Sequence, residues 1–255
     1  MRLASETHGS GRGVTFVHGF TQTRTSWLPV IRLLDRVRST LLDAPGHGDS
    51  VDGARTLQQC GDDIAESSPA GVLVGYSMGA RMALHAALFH PEHFTGLVLV
   101  SGTPGIEDTA ERAARVASDT ALAGHIEEVG TERFIPEWLS NPMFAGLSDE
   151  MRMTTDRMRN PARGLADSLR HAGTGTQSNL WPQLCELKMP VLVVCGEQDA
   201  KFTAIAERMA GMIPRADLHR FPGCGHTVHL EDTHSFCTVL RGWISEVPGT
   251  DQRST

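Results

Sequence analysis

The sequence predicts an α/β fold in which a mostly parallel sheet is flanked by helices and a helical cap is inserted. Six short β-branched or leucine-rich runs recur with helical patterns between them, at the spacing of consecutive βαβ units. Runs such as 71–75 and 97–100 are continuously apolar, which suits strands buried on both faces. The expected strands are Val14–Val17, Thr40–Asp43, Val72–Gly75, Leu97–Val100, Val191–Cys195 and Leu218–Phe221.

Two amphipathic helices are expected after the last two strands. Residues 202–210 place apolar side chains at i, i+3, i+4, i+7 and i+8, and residues 236–244 repeat this pattern. Asp232 or Thr233 can cap the second helix, and the Pro-Gly pair at 248–249 stops it. Both helices are therefore expected to pack on the sheet.

A cap is expected between the two halves of the sheet. From Ser101 to Trp181 the chain shows helical patterns broken by Pro and Gly, but no convincing strand. A chain of 255 residues suits one large α/β domain. We therefore assign residues 1–103 and 183–255 to the core, and 104–182 to the cap.

Composition excludes several classes of partner. The formal net charge of −7 disfavours binding to a phosphate backbone, so no nucleic acid is expected. No apolar signal region and no continuously apolar stretch of about 20 residues is found, so no membrane association is expected and a cytoplasmic location is the default. A monomer is the default oligomeric state. The five cysteines form no C-x-x-C pair, which argues against a thiolate metal site.

The pentapeptide Gly75-Tyr-Ser-Met-Gly79 carries the first chemical signal. It follows a buried strand and precedes the alanine-rich run 80–89, which is the context of the nucleophile elbow in α/β hydrolases. Such an elbow strains the backbone and brings strand and helix close together, so both flanking positions must be nearly free of side chain. Ser77 is therefore the candidate nucleophile.

An elbow serine needs a base and an acid that orients the base, in the chain order Ser, Asp or Glu, His. Asp199 follows the fifth expected strand and His226 follows the sixth, so both lie beyond the carboxyl ends of parallel strands, where open α/β sheets bind ligands. The predicted triad is Ser77, Asp199 and His226. The weaker rivals are His229 for the base, and Glu197 and Asp217 for the acid.

An oxyanion hole is expected beside the triad. His18-Gly19-Phe20 ends the first expected strand, and the backbone N–H groups of Phe20 and Met78 would converge on a developing negative oxygen. The turn 45–50 follows the next strand, and its His47 is expected to hold loops rather than to take part in catalysis.

The chain resembles the 2-succinyl-6-hydroxy-2,4-cyclohexadiene-1-carboxylate synthases of menaquinone biosynthesis, within the α/β-hydrolase superfamily. The resemblance runs from Val14 to about His234 and includes motifs that many hydrolases share. Its more specific parts are Arg81 in Ser-Met-Gly-Ala-Arg; Gly102–Ile106 running on to Ser118-Asp119; Trp138 with Asn141–Phe144; and Gly196–Phe202.

The resemblance implies a lyase that eliminates pyruvate from an enolpyruvyl substrate with three carboxylates, without a metal or organic cofactor. It implies that the arginines at 81, 115 and 159 face these carboxylates, with Tyr76 and Trp138 in the same substrate site. Two positions depart from the family pattern: Gln22 replaces a glycine, and Leu139 stands where an aromatic residue is usual.

The sequence pattern by itself supports only part of the assignment of these arginines to the substrate site. Arg81 lies four residues after Ser77, hence on the same helix face one turn further on and within reach of a bound anion, and a solvated helix arginine is the less favoured alternative. For Arg115 and Arg159, spacing gives no reason to prefer them over the other cap arginines. Those alternatives are Arg112, Arg157 and Arg163.

Two other functions stay open. The same triad serves a serine esterase or carbon–carbon bond hydrolase, in which Ser77 attacks a carbonyl and an acyl intermediate forms. A neutral ester calls for an apolar slot, whereas a trianionic substrate calls for fixed arginine donors. A ligand-sensing protein without enzymatic activity is the third hypothesis, because a fold does not dictate a function.

Overall fold

The six apolar runs are strands of one sheet in the computed structural model, which describes residues 1–248. The strands are β1 (Ser5–His8), β2 (Arg12–Val17), β3 (Val37–Leu42), β4 (Gly71–Tyr76), β5 (Phe94–Val100), β6 (Val191–Gly196) and β7 (Ala216–Phe221). They lie in the order β1-β3-β2-β4-β5-β6-β7, and every neighbouring pair is parallel except β1 with β3. The α/β-hydrolase fold with a mostly parallel sheet is confirmed.

Strand β1 was not foreseen. Its sequence is Ser-Glu-Thr-His, three of its four residues are exposed, and it pairs antiparallel with β3 at the edge of the sheet. Since backbone hydrogen bonds hold it there rather than an apolar face, no hydrophobic periodicity marks it in the sequence. The predicted strand Thr40–Asp43 is also shifted, because β3 ends at Leu42 and Asp43 already belongs to the following loop.

Ten α-helices occur in the described part of the chain. They are α1 (Leu28–Ile31), α2 (Leu57–Ser67), α3 (Met78–Phe89), α4 (Thr109–Leu139), α5 (Asp149–Arg152), α6 (Thr154–Arg157), α7 (Ala162–Ala172), α8 (Ala200–Met212), α9 (Val228–Glu231) and α10 (Thr233–Glu246). Short 3-10 helices span Arg24–Trp27, Pro142–Phe144 and Trp181–Glu186.

Both amphipathic helices that the sequence predicted are present as α8 and α10. Asp232 caps α10 by accepting a hydrogen bond from the Ser235 N–H at 3.0 Å. The helix ends at Glu246, before Pro248, whereas Gly249 and the last residues of the predicted core segment lie outside the described residues.

The sheet separates two hydrophobic clusters because side chains alternate along its central strands. Leu73, Leu97 and Leu99 point toward the face covered by α2, α3 and α8, and belong to one cluster. Val72 and Val98 point the other way, into a cluster with residues of α1, α9 and α10. With all residues of β4, β5 and β6 buried, the middle of the sheet is a rigid support for the loops at its carboxyl end.

The segment between β5 and β6 is helical and has a hydrophobic cluster of its own. Ile126 and Phe134 of α4 pack there with Leu165 of α7, and Leu230 of the core joins the same cluster. The backbone of Gly130, at φ 74°, divides α4 into two parts, which a residue without a β-carbon allows. The cap therefore covers the carboxyl ends of the strands while resting on the core.

Among residues 1–248, no helix is both long and apolar enough to cross a membrane.

Candidate active site

The nucleophile elbow has the strained backbone that its sequence predicts. Ser77 joins β4 to α3 with φ 52° and ψ −107°, a conformation that side-chain-bearing residues rarely adopt. A β-carbon on Gly75 would lie 2.4 Å from the Gly79 carbonyl oxygen, and one on Gly79 would lie 2.3 Å from the Val17 carbonyl oxygen. Both glycines are therefore required for the strand, turn and helix to approach each other.

The structure brings Ser77, His226 and Asp199 into one hydrogen-bonded chain. Ser77 Oγ lies 3.0 Å from His226 Nε2, and His226 Nδ1 lies 2.7 Å from Asp199 Oδ2. Asp199 is fixed by its position at the start of α8, where its other oxygen accepts from the Phe202 N–H at 3.2 Å. The Ser101 hydroxyl donates to the His226 carbonyl oxygen at 2.8 Å and holds the loop that carries the imidazole.

The carboxyl group of Asp199 is tuned by opposing effects. Burial raises its pKa, whereas the hydrogen bond and charge of His226 and the Phe202 N–H lower it, and the net result is a pKa below the ordinary value. Asp199 is therefore a carboxylate at neutral pH. It can hold the imidazole in the orientation that leaves Nε2 free to take a proton from Ser77.

The two predicted oxyanion donors face the same cavity as the triad. Phe20 and Met78 both line it, and within residues 1–248 neither backbone N–H donates to a protein acceptor. Gln22 closes the loop that carries Phe20, because its side-chain oxygen accepts from the Gly19 N–H at 2.9 Å and its own N–H donates to the Gly19 carbonyl oxygen at 3.2 Å. Gln22, which replaces the glycine of the family pattern, thus adds a side-chain hydrogen bond within the loop.

His47, which was predicted to hold loops, and His229, the alternative base, are both buried. His47 is buried, accepts from the Thr21 N–H at 3.3 Å and bonds the Pro45 carbonyl oxygen at 3.0 Å, which suits the predicted role in holding loops. His229 is fully buried behind Tyr76, with the ring centres 4.5 Å apart, and burial lowers its pKa to about 3. Neither of its ring nitrogens has a hydrogen-bond partner in the described structure, whereas His226 bonds Ser77 Oγ.

The rival acids also lie apart from the histidine. Glu197 is exposed, and Asp217, near the start of β7, accepts from Trp243 Nε1 at 3.1 Å. Asp199 is the carboxylate that the structure joins to His226.

A cavity of about 900 Å³ opens between the sheet and the cap, with Ser77, Asp199 and His226 in its wall. Trp138 forms part of the cap side and meets Phe20 edge to face, with ring centres 5.4 Å apart. Leu139 belongs to the internal cluster of the cap, so the second departure from the family pattern affects cap packing rather than the cavity wall.

Four cations of the described chain line this cavity: Arg81, Arg115, Lys201 and Arg208. Arg115 pairs with Asp119 at 2.8 Å, and Arg208 pairs with Glu107 while its guanidinium stacks on Trp181 at 3.8 Å. Arg81 and Lys201 form no direct ion pair among residues 1–248, although the charges of Asp119 and Asp199 act on them. Carboxylates also line the cavity, and they are Glu107, Asp108, Glu111, Asp119 and Asp199.

Arg81 is the buried member of this group. Its Nη1 donates to the Ala172 carbonyl oxygen at 2.7 Å, and its side chain is 8% exposed. Burial, followed by the charge of Arg115, lowers the pKa of Arg81 to about 10. The guanidinium is therefore still protonated at neutral pH, and the solvated alternative for this arginine is excluded.

Two of the predicted substrate residues are not in the cavity wall. Tyr76 points to the opposite face of β4, where its hydroxyl bonds Thr227 Oγ1 at 2.9 Å. It is the strand residue before the turn, so it cannot face the same way as Ser77. Arg159 is exposed and pairs with Asp156 at 3.0 Å. The expected placement of both residues is wrong in this conformation.

Arg157 is the arginine that turns inward from this part of the cap, where it contacts the loop after Phe20 without forming part of the cavity wall. Its guanidinium is buried, and Nη1 donates to Thr21 Oγ1 at 2.5 Å beside the oxyanion loop. The sequence offered no reason to choose it, because the apolar periodicity of this short helix is weak. The described residues contain no cluster of three or more His, Cys, Asp or Glu that could hold a metal ion.

The fold and the triad geometry define a class of enzyme, and comparison with known proteins agrees. A model of the alpha/beta hydrolase family matches residues 16–238, so the chain belongs to the alpha/beta hydrolase family.

Similar proteins narrow this assignment. A Bacillus subtilis (strain 168) protein, named provisionally as a 2-succinyl-6-hydroxy-2,4-cyclohexadiene-1-carboxylate synthase, is 35% identical and the alignment covers 96% of this chain and 94% of that protein. The synthase of that name from Serratia proteamaculans (strain 568) is 33% identical over 90% of this chain and 91% of its own. Within the family, the chain is a member of this synthase group.

Two solved structures share the fold of this chain. MenH from S. aureus superposes with a TM-score of 0.87 at 31% identity, covering 95% of this chain and 98% of that one. A thermophilic esterase from Thermogutta terrifontis superposes with a TM-score of 0.80 at 25% identity, covering 96% and 93%. The architecture is thus shared by a synthase-group protein and by an esterase.

Proposed function

We propose that this chain is a 2-succinyl-6-hydroxy-2,4-cyclohexadiene-1-carboxylate synthase, a lyase of menaquinone biosynthesis. Its substrate is 2-succinyl-5-enolpyruvyl-6-hydroxy-3-cyclohexene-1-carboxylate, and pyruvate is the second product. Relatives of this name match nearly the whole chain at 31–35% identity. A cytoplasmic location and a monomeric state stay predictions.

The names of substrate and product fix the bond changes. A proton leaves the ring carbon that carries the succinyl group, and its electron pair forms a new ring double bond. The existing ring double bond shifts, and the carbon–oxygen bond to the enolpyruvyl group breaks. The enolpyruvate leaves, takes up a proton and becomes pyruvate, so neither water nor a redox partner is consumed.

The triad supplies the base for this elimination. His226, oriented by Asp199 at 2.7 Å, accepts the hydroxyl proton of Ser77 at 3.0 Å and makes the serine oxygen basic enough to remove the ring proton. The carbonyl beside that carbon becomes an enolate oxygen, which the N–H groups of Phe20 and Met78 stabilise. One such donor is typically worth about 3 kcal/mol in the transition state of serine hydrolases.

One observation supports the choice of substrate: the Ser77–His226 pair opens into a cavity in which two cations form no direct ion pair with any described residue. Arg81 and Lys201 line it and, among residues 1–248, neither is ion-paired with a carboxylate. A substrate with three carboxylates can pair directly with these cations, and a guanidinium binds a carboxylate through two parallel hydrogen bonds. A neutral ester offers them no carboxylate.

The test is direct. Purified protein is given the enolpyruvyl substrate, pyruvate release is followed with lactate dehydrogenase and NADH, and p-nitrophenyl esters are assayed in parallel. We expect pyruvate release that is lost in Ser77→Ala. Ester turnover without pyruvate would replace the lyase with a serine hydrolase, the candidate that the esterase neighbour favours. No turnover, together with a ligand-dependent rise in Tm, would favour a sensing protein.

A further inference from the structure

The loop that carries the first oxyanion donor is strained immediately after that donor. Thr21, next to Phe20, has φ 67° and is fully buried. A β-branched residue is disfavoured in this left-handed region, and such a conformation persists only where its surroundings hold it. The groups that bind Thr21 therefore decide the direction in which the neighbouring Phe20 peptide points.

Every polar atom of Thr21 has a partner, and two of the three partners come from the cap. The Thr21 N–H donates to His47 Nε2 at 3.3 Å, which belongs to the core. Its hydroxyl accepts from Arg157 Nη1 at 2.5 Å, and its carbonyl oxygen accepts from Asn160 Nδ2 at 2.6 Å. The cap thus holds the oxyanion loop by direct hydrogen bonds.

Asn160 joins three separate segments. It lies in the turn between α6 and α7 and is 2% exposed. Besides Thr21, its amide nitrogen donates to the Arg157 carbonyl oxygen at 2.9 Å, and its side-chain oxygen accepts from the Gly48 N–H at 2.7 Å. A buried amide with both of its ends bonded fixes the distance between the groups on either side.

A second contact fastens the same cap turn to the next residues of the loop. Asp156 Oδ2 accepts from the hydroxyl of Thr23 at 2.6 Å and from that of Thr25 at 2.7 Å. The oxyanion loop and the cap turn 156–160 are therefore joined by hydrogen bonds at both ends of their contact.

We propose that Asn160 is a positioning residue for the oxyanion hole. By holding the Thr21 carbonyl, it keeps the strained loop in the conformation that directs the Phe20 N–H into the cavity. The oxyanion hole is then complete only while the cap turn 156–160 is seated on the core. The inference rests on the proposed role of Phe20, but not on the identity of the substrate.

A fluorophosphonate probe tests this without the natural substrate. Ser77 attacks the phosphorus, fluoride leaves, and the phosphoryl oxygen gains negative charge in the oxyanion hole during attack. The second-order rate constant for labelling of Ser77 therefore depends on the triad and the hole, but not on carboxylate recognition. It is measured by mass spectrometry for the wild type, Asn160→Ala and Asn160→Asp.

The two variants separate the donor of Asn160 from its acceptor. Asn160→Asp keeps an oxygen for the Gly48 N–H but has no N–H for the Thr21 carbonyl, and Asn160→Ala has neither. We expect labelling to slow at least tenfold in both, since misplacement of a reacting group by about 1 Å can cost a hundredfold. In the pyruvate assay, kcat should fall while KM stays close to the wild-type value.

A control variant separates the effect of lowered stability on labelling from the effect of losing the Asn160 hydrogen bonds. Ile64→Val in α2 shortens a fully buried side chain on the face covered by α2 and α3, away from the cap turn, so it lowers Tm without touching the loop. All proteins are labelled at a temperature at which each is folded by circular dichroism. The control should label within twofold of the wild type.

Three results would overturn the inference. Asn160→Ala could label within twofold of the wild type, or Asn160→Asp could label normally although its donor is absent. A wild-type protein that never labels would refute the triad, and the inference with it. If labelling slows as expected but no pyruvate is released, the proposed substrate is wrong and the role of Asn160 stands.

Discussion

Arg157 ends the short helix α6 and Arg159 lies two residues further on in the following turn, and they have opposite environments. Arg157 is 2% exposed and bonds the oxyanion loop, whereas the side chain of Arg159 is 52% exposed and pairs with Asp156. Arg157 is the last residue of α6 and Arg159 lies in the turn after it, so the two side chains leave the backbone in different directions. At this scale, the direction of a side chain decides whether its charge is buried against a loop or exposed to solvent.

The cavity arginines give the first prediction. Arg81→Ala and Arg115→Ala should each lower kcat/KM for pyruvate release at least tenfold, because a charge-assisted hydrogen bond contributes about 1.5–3 kcal/mol. Lysine replacements should recover only part of the loss, since the planar guanidinium is gone. Arg159→Ala should stay within about twofold and is the matched control.

Fluorophosphonate labelling of Ser77 should be unchanged in the Arg115→Ala variant, because the probe carries no carboxylate. Equal losses in Arg159→Ala and Arg81→Ala would contradict the placement of these residues.

The triad gives the second prediction. Ser77→Ala, His226→Ala and Asp199→Asn should each remove most of the turnover, and the double variant Ser77→Ala/His226→Ala should be little slower than either single one. The three groups transfer one proton as a unit, so their losses do not add. Steady-state pyruvate release measures this. Near-normal turnover in Ser77→Ala would refute the assignment.

At the scale of secondary-structure elements, the elbow depends on how closely β2, β4 and α3 approach each other. Gly79, in the first turn of α3, lies against the carbonyl groups of Val17 and His18 at the end of β2. This contact sets the depth at which α3 sits on the sheet, and hence the position of Ser77 and of the Met78 N–H.

The third prediction follows from that contact. In Gly79→Ala the added carbon would lie 2.3 Å from the Val17 carbonyl oxygen, so the backbone must shift. Overpacking of this kind costs about 1–3 kcal/mol, which corresponds to a fall in Tm of roughly 2–12 °C for a chain of this size.

Gly124→Ala is the matched control, because Gly124 lies in α4 with nothing within 4 Å of an added β-carbon. It should raise the free energy of unfolding by about 0.5–1 kcal/mol. Differential scanning calorimetry compares the two, and an unchanged Tm in Gly79→Ala would contradict the tight packing of the elbow.

At the scale of the whole molecule, several histidines are buried as neutral groups. Burial lowers the pKa of His47 and of His229 to about 3, and that of His85 to about 4. Neither ring nitrogen of His85 or of His229 has a hydrogen-bond partner in the described structure. The fold is therefore more stable where these imidazoles carry no extra proton.

The fourth prediction is a loss of stability in mild acid. Unfolded histidines titrate near pH 6.5, so the unfolded chain binds more protons than the folded one between about pH 6.5 and these lowered pKa values. The stabilisation is present in full above about pH 6.5 and falls as the pH drops. Each such histidine contributes up to about 1.4 kcal/mol per pH unit.

Thermal denaturation between pH 5 and pH 7 measures this, and His85→Leu should flatten the dependence of Tm on pH. Parallel slopes for the wild type and His85→Leu would contradict the buried neutral state of His85.

The sequence by itself determined the sheet, the elbow and the order of the catalytic groups. Strands buried on both faces must be apolar runs, and parallel strands bring their carboxyl ends to one edge, so Ser77, Asp199 and His226 could be placed together from their positions after such runs. The requirement for Gly75 and Gly79 was likewise local. These features depend on residue type and on near neighbours along the chain.

Tertiary structure decided the remaining features, because they depend on contacts between distant segments that no local sequence pattern encodes. The polar strand β1 exists only through its pairing with β3. The bond from Asn160 to Thr21 joins residues 139 positions apart, and its geometry follows from how the cap settles on the core. Spacing in the sequence carries no information about such contacts, since they form only when two separately folded segments meet.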